Sequence, residues 1–529
     1  MRVIGDFLRR VSTIYPEKVA VVDYFGKYST YGASYTWSHF NALVNKLANS
    51  FLTIGLKRGD KLGVYSDTRS QYFTIYQAVA KIGVTLVPLN TAYKGDELTY
   101  LINDSAVKAL VVDADRIEAI ESIKTQLEHT KYFIGIGKDH PYPYDYDKLI
   151  EDGISNEPIV KVEEEDLAML LYTSGTTGRP KGAMMTHRNW VTSALICTQE
   201  WRLYPRHKFL CVLAPFFTGA LAFMTFSVAR GYTIVMSEFN PEKVLQIIQD
   251  DKISYSMFVP TMTSRLVKFP DVKKYNLSSI EHVVTSGAPI SEALVREASE
   301  VLFNGNLKFV FTYGTTETAV TGCQLQPEEV SLEGPTSKRL TSVGKAMIGM
   351  EVKVIDDEGN EIKAGSDQPG EVVVIGDSVG KGYWNKPENE ELKDGVWYSG
   401  DLARVDEDGY IYIVDRKKDM ILSGGANIYP REVEDVLHAH PAVLHAVVIG
   451  VPDPEWGERV HAVIVLKEGA KATEEEMISF VKARLASYKC PKSVEFLKLD
   501  ELPLSPVGKI LKRELRERYW KGYERKGVV

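Results

Sequence analysis

One stretch of the sequence groups small hydroxylated residues and glycines, Thr173-Ser174-Gly175-Thr176-Thr177-Gly178, just ahead of two cations, Arg179 and Lys181. Glycines let backbone N–H groups approach an oxyanion, hydroxyls add donors and lysine adds charge. The loop therefore has the chemistry of an anion cradle, although Gly/Ser/Thr runs also make plain surface turns. It is not a Walker A sequence, because Pro180 precedes Lys181 and Gly182 follows it. A second stretch, Tyr313-Gly314-Thr315-Thr316-Glu317, offers a ring that can stack, hydroxyls that can bond a phosphate, and a carboxylate that suits Mg²⁺. Asp401, in Trp397-Tyr398-Ser399-Gly400-Asp401, is acceptor-only and suits a diol. Lys509 could stabilise developing negative charge, but residue type alone does not separate it from Lys512. Taken singly, Glu317 reads as a solvated acid, Thr285-Ser286-Gly287-Ala288-Pro289 as a β-α turn, and Arg416-Lys417-Lys418-Asp419 as a solvated basic linker.

The elements that must position these residues alternate. Trp37, Phe40, Leu43, Val44, Leu47 and Phe51 fall on one helical face, which Gly55 ends. Strand, helix, strand, helix, strand follow at 61–66, 70–82, 84–89, 96–103 and 109–112. Such alternation predicts a parallel sheet covered by helices. It recurs through strands at 233–236, 255–259 and 280–285. Residues 343–414 read as a small β unit with Asp/Gly turns. Beyond 416–419 the pattern becomes α+β, with a helix at 432–439, strands at 443–449 and 460–466, and a capping box at Thr473-Glu474-Glu475-Glu476 opening a helix to 486. The basic run after Lys509 reads as a solvated helix with a frayed end. The expected architecture is α/β: a large N-terminal region of doubly wound α/β subdomains plus a small β unit (1–415), a boundary (416–419), and a small α+β domain (420–529).

Composition limits the alternatives. The 529 residues are 44% hydrophobic and 25% charged, which excludes disorder, collagen and a small disulfide scaffold. At roughly 100–200 residues per domain, three to five structural units are expected. A net charge of −8 argues against a general nucleic-acid binder, so an anionic ligand must meet local cations. Cys197, Cys211, Cys323 and Cys490 form no CxxC pair, which points away from zinc and disulfides and towards a reducing, cytoplasmic setting. The N-terminus has no apolar signal region and the C-terminus no targeting box. The uncharged stretch 209–229 is long enough to span a bilayer. Pro215, Thr218 and Gly219 break it, so it is expected to be a buried strand, a turn and a buried helix from Ala220, with peripheral membrane contact left open.

Tyr172-Thr173-Ser174-Gly175-Thr176-Thr177-Gly178-Arg179-Pro180-Lys181-Gly182 resembles the phosphate-loop signature of the adenylate-forming superfamily, whose members include acyl-CoA synthetases, aryl-CoA ligases, luciferases and adenylation domains. The resemblance covers nearly the whole chain, with the other motifs in family order. It implies that Thr173, Ser174, Gly175, Thr176, Thr177, Gly178 and Lys181 cradle the phosphates of ATP. It further implies that Tyr313 stacks on adenine, that Thr316 or Thr315 contacts the α-phosphate, and that Glu317 binds Mg²⁺ with help from Thr173 or Thr176. Gly287, Ala288 and Pro289 would line the adenine and acyl pocket; Asp401 and Arg416 would hold the ribose. Lys418 aligns with the hinge position, which would make 416–419 a hinge and the small domain 420–529 mobile, and Lys509 aligns with the adenylation lysine. Ser423, Gly424 and Gly425 resemble the loop that enters the site for thioester formation, leaving a channel for the pantetheine arm of coenzyme A. Cys490 is expected to be structural.

The implied activity is AMP-forming ligation of a small-molecule carboxylic acid to coenzyme A, with ATP and Mg²⁺ as cofactors, no nucleic-acid partner, and a homodimer left open. Two alternatives stay in view: loading of a separate carrier protein, and a non-catalytic sensor of nucleotide or acyl-adenylate. One departure stands out. Ala214-Pro215-Phe216-Phe217-Thr218-Gly219 lacks the His that the family usually has there, so Thr218 replaces it or it is deleted. Phe217, Thr218, Gly219, Ser286 and Gly314 are the expected acyl-pocket residues. Gly314, where short-acyl members carry Trp, together with the small Thr218, Gly219 and Ala220, implies an open pocket that favours medium- or long-chain, branched or aryl acids over acetate.

Overall fold

The computed structural model describes residues 2–26, 33–67, 69–173, 179–503, 510–521 and 523. Its first sheet has the strand order Tyr144–Asp145, Tyr132–Ile136, Ala109–Asp113, Lys61–Tyr65, Thr85–Pro88, Leu167–Thr173, Lys181–Thr186. All neighbours are parallel except the last pair. The β-α alternation dictates this, since a parallel connection needs a crossover helix. Helices Arg69–Ile82 and Gly95–Asp104 and strands Thr85–Pro88 and Ala109–Asp113 lie within two residues of their expected bounds. Thr85–Pro88 is buried along its length, as a central parallel strand covered on both faces must be.

The second sheet runs Lys345–Ala346, Gly322–Leu325, Phe309–Gly314, His282–Thr285, Tyr255–Met257, Lys208–Cys211, Thr233–Met236, Val19–Asp23, Ala33–Thr36. It is parallel in the middle and antiparallel at both edges. Between the two sheets lies a layer of helices. Arg69–Ile82 touches strands of both sheets and is buried on every face. Helix His187–Glu200 leans on the first sheet and on helix Thr218–Arg230, which leans on the second. A hydroxyl pair, Tyr76 to Thr225 at 2.6 Å, crosses the layer. The uncharged stretch is thus strand Lys208–Cys211 and helix Thr218–Arg230, the latter starting two residues before the expected Ala220. Among the described residues no helix is long and apolar enough to cross a membrane.

A third, antiparallel sheet comprises Glu351–Ile355, Gly370–Ile375, Leu392–Lys393, Val396–Val405 and Ile411–Arg416. The turn Lys417–Asp419 follows, and then the small sheet of Ile421–Ser423, Ala426–Ile428, Val443–Asp453, Gly457–Leu466 and Ser493–Phe496, with helices Pro430–His438 and Glu474–Lys482.

Three expectations for this region fail. Thr473 caps its helix by accepting from Glu476 N at 3.2 Å, but the Glu476 carboxylate lies 3.4 Å from His440 Nε2 instead of closing a capping box. That helix also ends at Lys482, not at 486. Nor is the described part of the basic tail wholly solvated, while its expected frayed end, 524–529, lies outside the described residues. Helix Lys512–Tyr519 buries Leu515 completely, and Trp520 Nε1 donates to Gly450 O at 2.9 Å. Two of its cations have carboxylate partners in the rest of the fold: Lys512 to Glu434 at 2.8 Å and Arg516 to Asp419 at 3.0 Å. Burial alone would lower the Lys512 pKa, but Glu434, Asp415 and Asp419 outweigh it and raise it.

Candidate functional site

Strand ends from three sheets supply the chemistry-bearing residues. Leu167–Thr173 and Lys181–Thr186 pair as antiparallel neighbours around residues 174–180, so Thr173 and Lys181 stand opposite each other in register. Ser174, Gly175, Thr176, Thr177 and Gly178 lie outside the described residues. Flanking contacts fix the far side of the loop: Tyr100 donates to Pro180 O at 3.2 Å, and the Arg179 guanidinium lies over the Tyr100 ring at 5.0 Å. Lys181 Nζ is 2.6 Å from Glu391 Oε2 and 5.0 Å from the centroid of the Tyr383 ring.

Phe309–Gly314 carries Tyr313 and Gly314 to the end of the second sheet, where Thr316–Thr318 forms a single 3₁₀ turn. Thr318 locks the turn, accepting from Thr315 N at 3.1 Å and donating to Thr321 O at 2.5 Å. Ala319 and Val320 then take φ of +47° and +65°, a left-handed conformation that is costly for a β-branched residue. The turn presents Thr316 and Glu317 to one another's neighbours. Thr316 Oγ1 is 2.9 Å from Thr218 Oγ1, at the start of helix Thr218–Arg230. Glu317, 7% exposed, accepts from the Tyr383 hydroxyl at 3.0 Å, and its backbone carbonyl accepts from Gly380 N at 2.7 Å. Burial first, and next the Glu317 carboxylate, push the Tyr383 pKa up, so the phenol stays a donor.

A β-bulge aims Asp401. Ser399 Oγ donates to Val372 O at 2.6 Å and accepts from Asp401 N at 3.0 Å, while Gly400, at φ +67°, turns the chain. The Asp401 carboxylate accepts from the Tyr313 hydroxyl at 2.8 Å and lies 3.2 Å from Arg416 Nε, its register partner on Ile411–Arg416. Burial would lower the Arg416 pKa, but Asp401 and Asp419 raise it. Burial and then Asp401 likewise raise that of Tyr313. Tyr313, Asp401 and Arg416 thus form one unit, with the Tyr313 ring held by its own hydroxyl.

The other expected residues fall in three places. Ser286 donates to Thr312 O at 3.2 Å, and Gly287, at φ +82°, starts an exposed segment with Ala288 and Pro289. Ser423, Gly424 and Gly425 form a hairpin turn in which both glycines have positive φ. Gly425 is open, whereas Gly424 packs against Trp456, a half-exposed residue that the sequence reading missed and whose O accepts from Gly424 N at 2.9 Å. Lys418 lies in the turn after Arg416, and its carbonyl accepts from Arg516 at 3.2 Å. Lys417 is not merely solvated, since it pairs with Asp357 at 2.9 Å. Lys509 lies outside the described residues. Cys490 is buried, as are the other three cysteines, and all four are free.

Glycine at two of the expected acyl-pocket positions has a packing cause. A Cβ on Gly314 would lie 2.3 Å from Val320 O, so the bare position accommodates a close backbone approach. Beside Gly219 the space is taken by Leu213, 3.0 Å from such a Cβ, and Met257. Neither position is open space by virtue of its missing side chain. Phe217 precedes the helix, its ring 4.6 Å from that of Phe216.

The chain is similar to known proteins along most of its length. Residues 8–384 match the family described as AMP-binding enzyme, and 432–509 match the AMP-binding enzyme C-terminal domain. The long-chain-fatty-acid–CoA ligase FadD13 of Mycobacterium tuberculosis is 31% identical over 98% of this chain and 99% of its own. A feruloyl-CoA synthase of an Amycolatopsis species is 35% identical over 92% and 94%. The ATP-bound MatB structure from Rhodopseudomonas palustris superposes with a TM-score of 0.87 at 29% identity, covering 98% of this chain and all of that one. This chain belongs to the AMP-binding enzyme family.

Proposed function

We propose that the protein activates a carboxylic acid as its acyl-adenylate and passes the acyl group to coenzyme A, releasing AMP and pyrophosphate. The observation that carries this reading is the convergence of two units on the turn 313–318: Tyr313, Asp401 and Arg416 on one side, and Lys181, Tyr383 and Glu317 on the other. The first suits a ribose and its base, because Asp401 can accept from hydroxyls while Arg416 and Tyr313 hold it in place. The second suits a polyphosphate, with a cation and a carboxylate held around one ring.

Glu317 fits a Mg²⁺ ligand. It is a single, nearly buried carboxylate with hydroxyls on the same turn, and Mg²⁺ takes few protein ligands when phosphates and water complete its shell. Among the described residues no group of three or more His, Cys, Asp or Glu could hold a metal alone, so the nucleotide would share in holding it. Bound there, Mg²⁺ supplies charge neutralisation of the phosphates; Thr173 is the second proposed contact.

In the first step a carboxylate oxygen of the acid attacks the α-phosphorus and pyrophosphate departs. Thr316, positioned by Thr218, donates to the α-phosphate, and Lys509 stabilises the charge that develops. In the second step the thiol sulfur of coenzyme A attacks the acyl carbon, the carbon–oxygen bond to AMP breaks, and the thiol proton is released to solvent. Rotation about Lys418 exchanges Lys509 for the Gly424-Gly425 loop between steps. The substrate class is a medium- or long-chain or aryl acid, as in the long-chain-fatty-acid–CoA ligase and feruloyl-CoA synthase that the chain resembles.

The test is acid-dependent ATP–pyrophosphate exchange without coenzyme A, across acids from acetate to palmitate plus benzoate and cinnamate, followed by thioester detection with coenzyme A. Exchange with at least one acid and thioester on adding coenzyme A are expected. Absence of exchange in folded protein refutes adenylation; exchange without thioester refutes coenzyme A as the acceptor. Unchanged turnover in Lys509→Ala refutes the role of that residue.

A further inference from the structure

The segment after strand Gly370–Ile375 belongs to none of the motifs described above, yet it is stitched to two of them. Tyr383 bridges to Ala183, Trp384 N donates to Gly182 O at 2.8 Å, and Lys381 N donates to Met184 O at 3.0 Å. These contacts run along the strand that begins with Lys181. On its other side, Gly380 N donates to Glu317 O at 2.7 Å, and a Cβ at 380 would sit 2.8 Å from Met185 Sδ. The segment therefore cannot move without moving both Lys181 and Glu317. At its end, the Tyr383 ring lies beneath Lys181 Nζ at 5.0 Å while its hydroxyl donates to Glu317 Oε1 at 3.0 Å. Only 6% of Tyr383 and 7% of Glu317 are exposed, so the bond between them is shielded from water.

We propose that Tyr383 is a positioning residue that couples the phosphate-loop lysine to the metal-binding carboxylate. Its hydroxyl fixes one Glu317 oxygen and turns the other towards the metal. Its ring face flanks the Lys181 ammonium, which Glu391 pairs at 2.6 Å, and adds cation–π attraction that fixes the ammonium relative to the Glu317 carboxylate. A metal–triphosphate needs both groups at once, one on the cation and one on the anion. The two contacts act on different halves of the ligand and are therefore separable. This inference rests on the proposed roles of Glu317 and Lys181.

The experiment measures binding, not turnover. Free Mn²⁺ is followed by electron paramagnetic resonance in the presence of ATP, and metal-free ATP binding by calorimetry in chelator. Tyr383→Phe keeps the ring and removes the hydroxyl, so it should weaken Mn²⁺ binding roughly tenfold, the cost of a lost hydrogen bond to a charged group, and leave metal-free ATP binding unchanged. Tyr383→Leu should weaken both. Equal weakening of both ligands by Tyr383→Phe would mean a general structural role and overturn the proposal, as would unchanged Mn²⁺ binding. Glu317→Gln, run alongside, separates the levels. If it too leaves Mn²⁺ binding unchanged, the assignment of Glu317 fails; if it weakens binding and Tyr383→Phe does not, only the coupling fails. Should Tyr383→Phe not fold, 3-fluorotyrosine at 383 keeps the hydroxyl. Its ¹⁹F resonance should shift when Mg²⁺ is added to the ATP complex, and a fixed resonance would overturn the proposal.

Discussion

Gly314 offers a direct contest between two explanations of one residue. As a pocket residue, its missing side chain would admit long acids, and enlarging it would shorten the preferred chain. The geometry gives a different outcome. In Gly314→Ala the new Cβ would lie 2.3 Å from Val320 O, 2.4 Å from Val320 C and 2.9 Å from Thr321 O, all backbone atoms. Relief needs the chain at 320–321 to retreat by about 1 Å to reach an ordinary contact distance. That chain is held: Val320 N donates to Thr315 O at 2.9 Å, and Thr321 Oγ1 is 2.6 Å from Ser378 Oγ. Val320 is already in the left-handed region, with no easier conformation nearby. Overpacking of this kind costs about 1–3 kcal/mol, or a melting point lowered by a few degrees. The displaced turn carries Thr316 and Glu317, and a misplacement of about 1 Å at reacting groups costs on the order of a hundredfold in rate. The assay is pyrophosphate exchange across the acid panel with a thermal melt of the same sample. Activity should fall by a similar factor for every acid, leaving their ranking intact, with a lower melting point. A variant that melts like the parent and switches to shorter acids would refute this account and restore Gly314 as a gauge of chain length.

Three further outcomes follow from the same kind of argument. Gly425 has φ +83° and nothing within 4 Å of an added Cβ, so Gly425→Ala should cost about 1–2 kcal/mol of backbone strain. It should slow thioester formation while sparing pyrophosphate exchange; an equal loss in both half-reactions would remove Gly425 from the thiol path. Burial holds His187 down at about 4, with Nδ1 accepting from Ile4 N at 3.3 Å. The folded protein therefore favours the neutral ring. Its contribution is complete above about pH 6.5 and is lost as the pH falls towards 4, some 3 kcal/mol in all. Denaturation midpoints between pH 4 and 7 should depend less on pH in His187→Asn, with a residual slope from His207, which burial also lowers to about 4; parallel curves would sink the assignment. Lys512→Met strips the cation from Glu434, Asp415 and Asp419 and should destabilise the protein by about 3–5 kcal/mol. Adding Glu434→Gln should restore part of that loss in chemical denaturation, and no recovery would show that the two residues are not coupled.

What the sequence carried and what it did not divide along a physical line. Period and punctuation predict elements from neighbouring residues, so Gly95–Asp104 and Thr233–Met236 could be read from the chain alone. The motif residues were legible for the same reason: Tyr313, Thr316 and Glu317 are near neighbours, and Asp401 lies in the short run Trp397-Tyr398-Ser399-Gly400-Asp401, whereas its bulge shows only in the sheet. Pairing across long separations has no local signal. Nothing in 19–23 says that this strand adds to Thr233–Met236, and nothing after Lys509 says that its cations meet Glu434 and Asp419, so the tail reads as solvated when it is an anchor. Steric causes are invisible too. A glycine chosen because a carbonyl passes 2.3 Å from its missing Cβ has the same letter as one that opens a pocket. Tyr383 combines both blind spots. Its sequence neighbourhood, Gly380-Lys381-Gly382-Tyr383-Trp384, reads as a turn, and its importance exists only once Ala183 lies beside it and Glu317 comes within reach of its hydroxyl. Local pattern thus locates the groups proposed to touch a ligand, while the residues that hold those groups at fixed separations become visible only when remote strands are brought into contact.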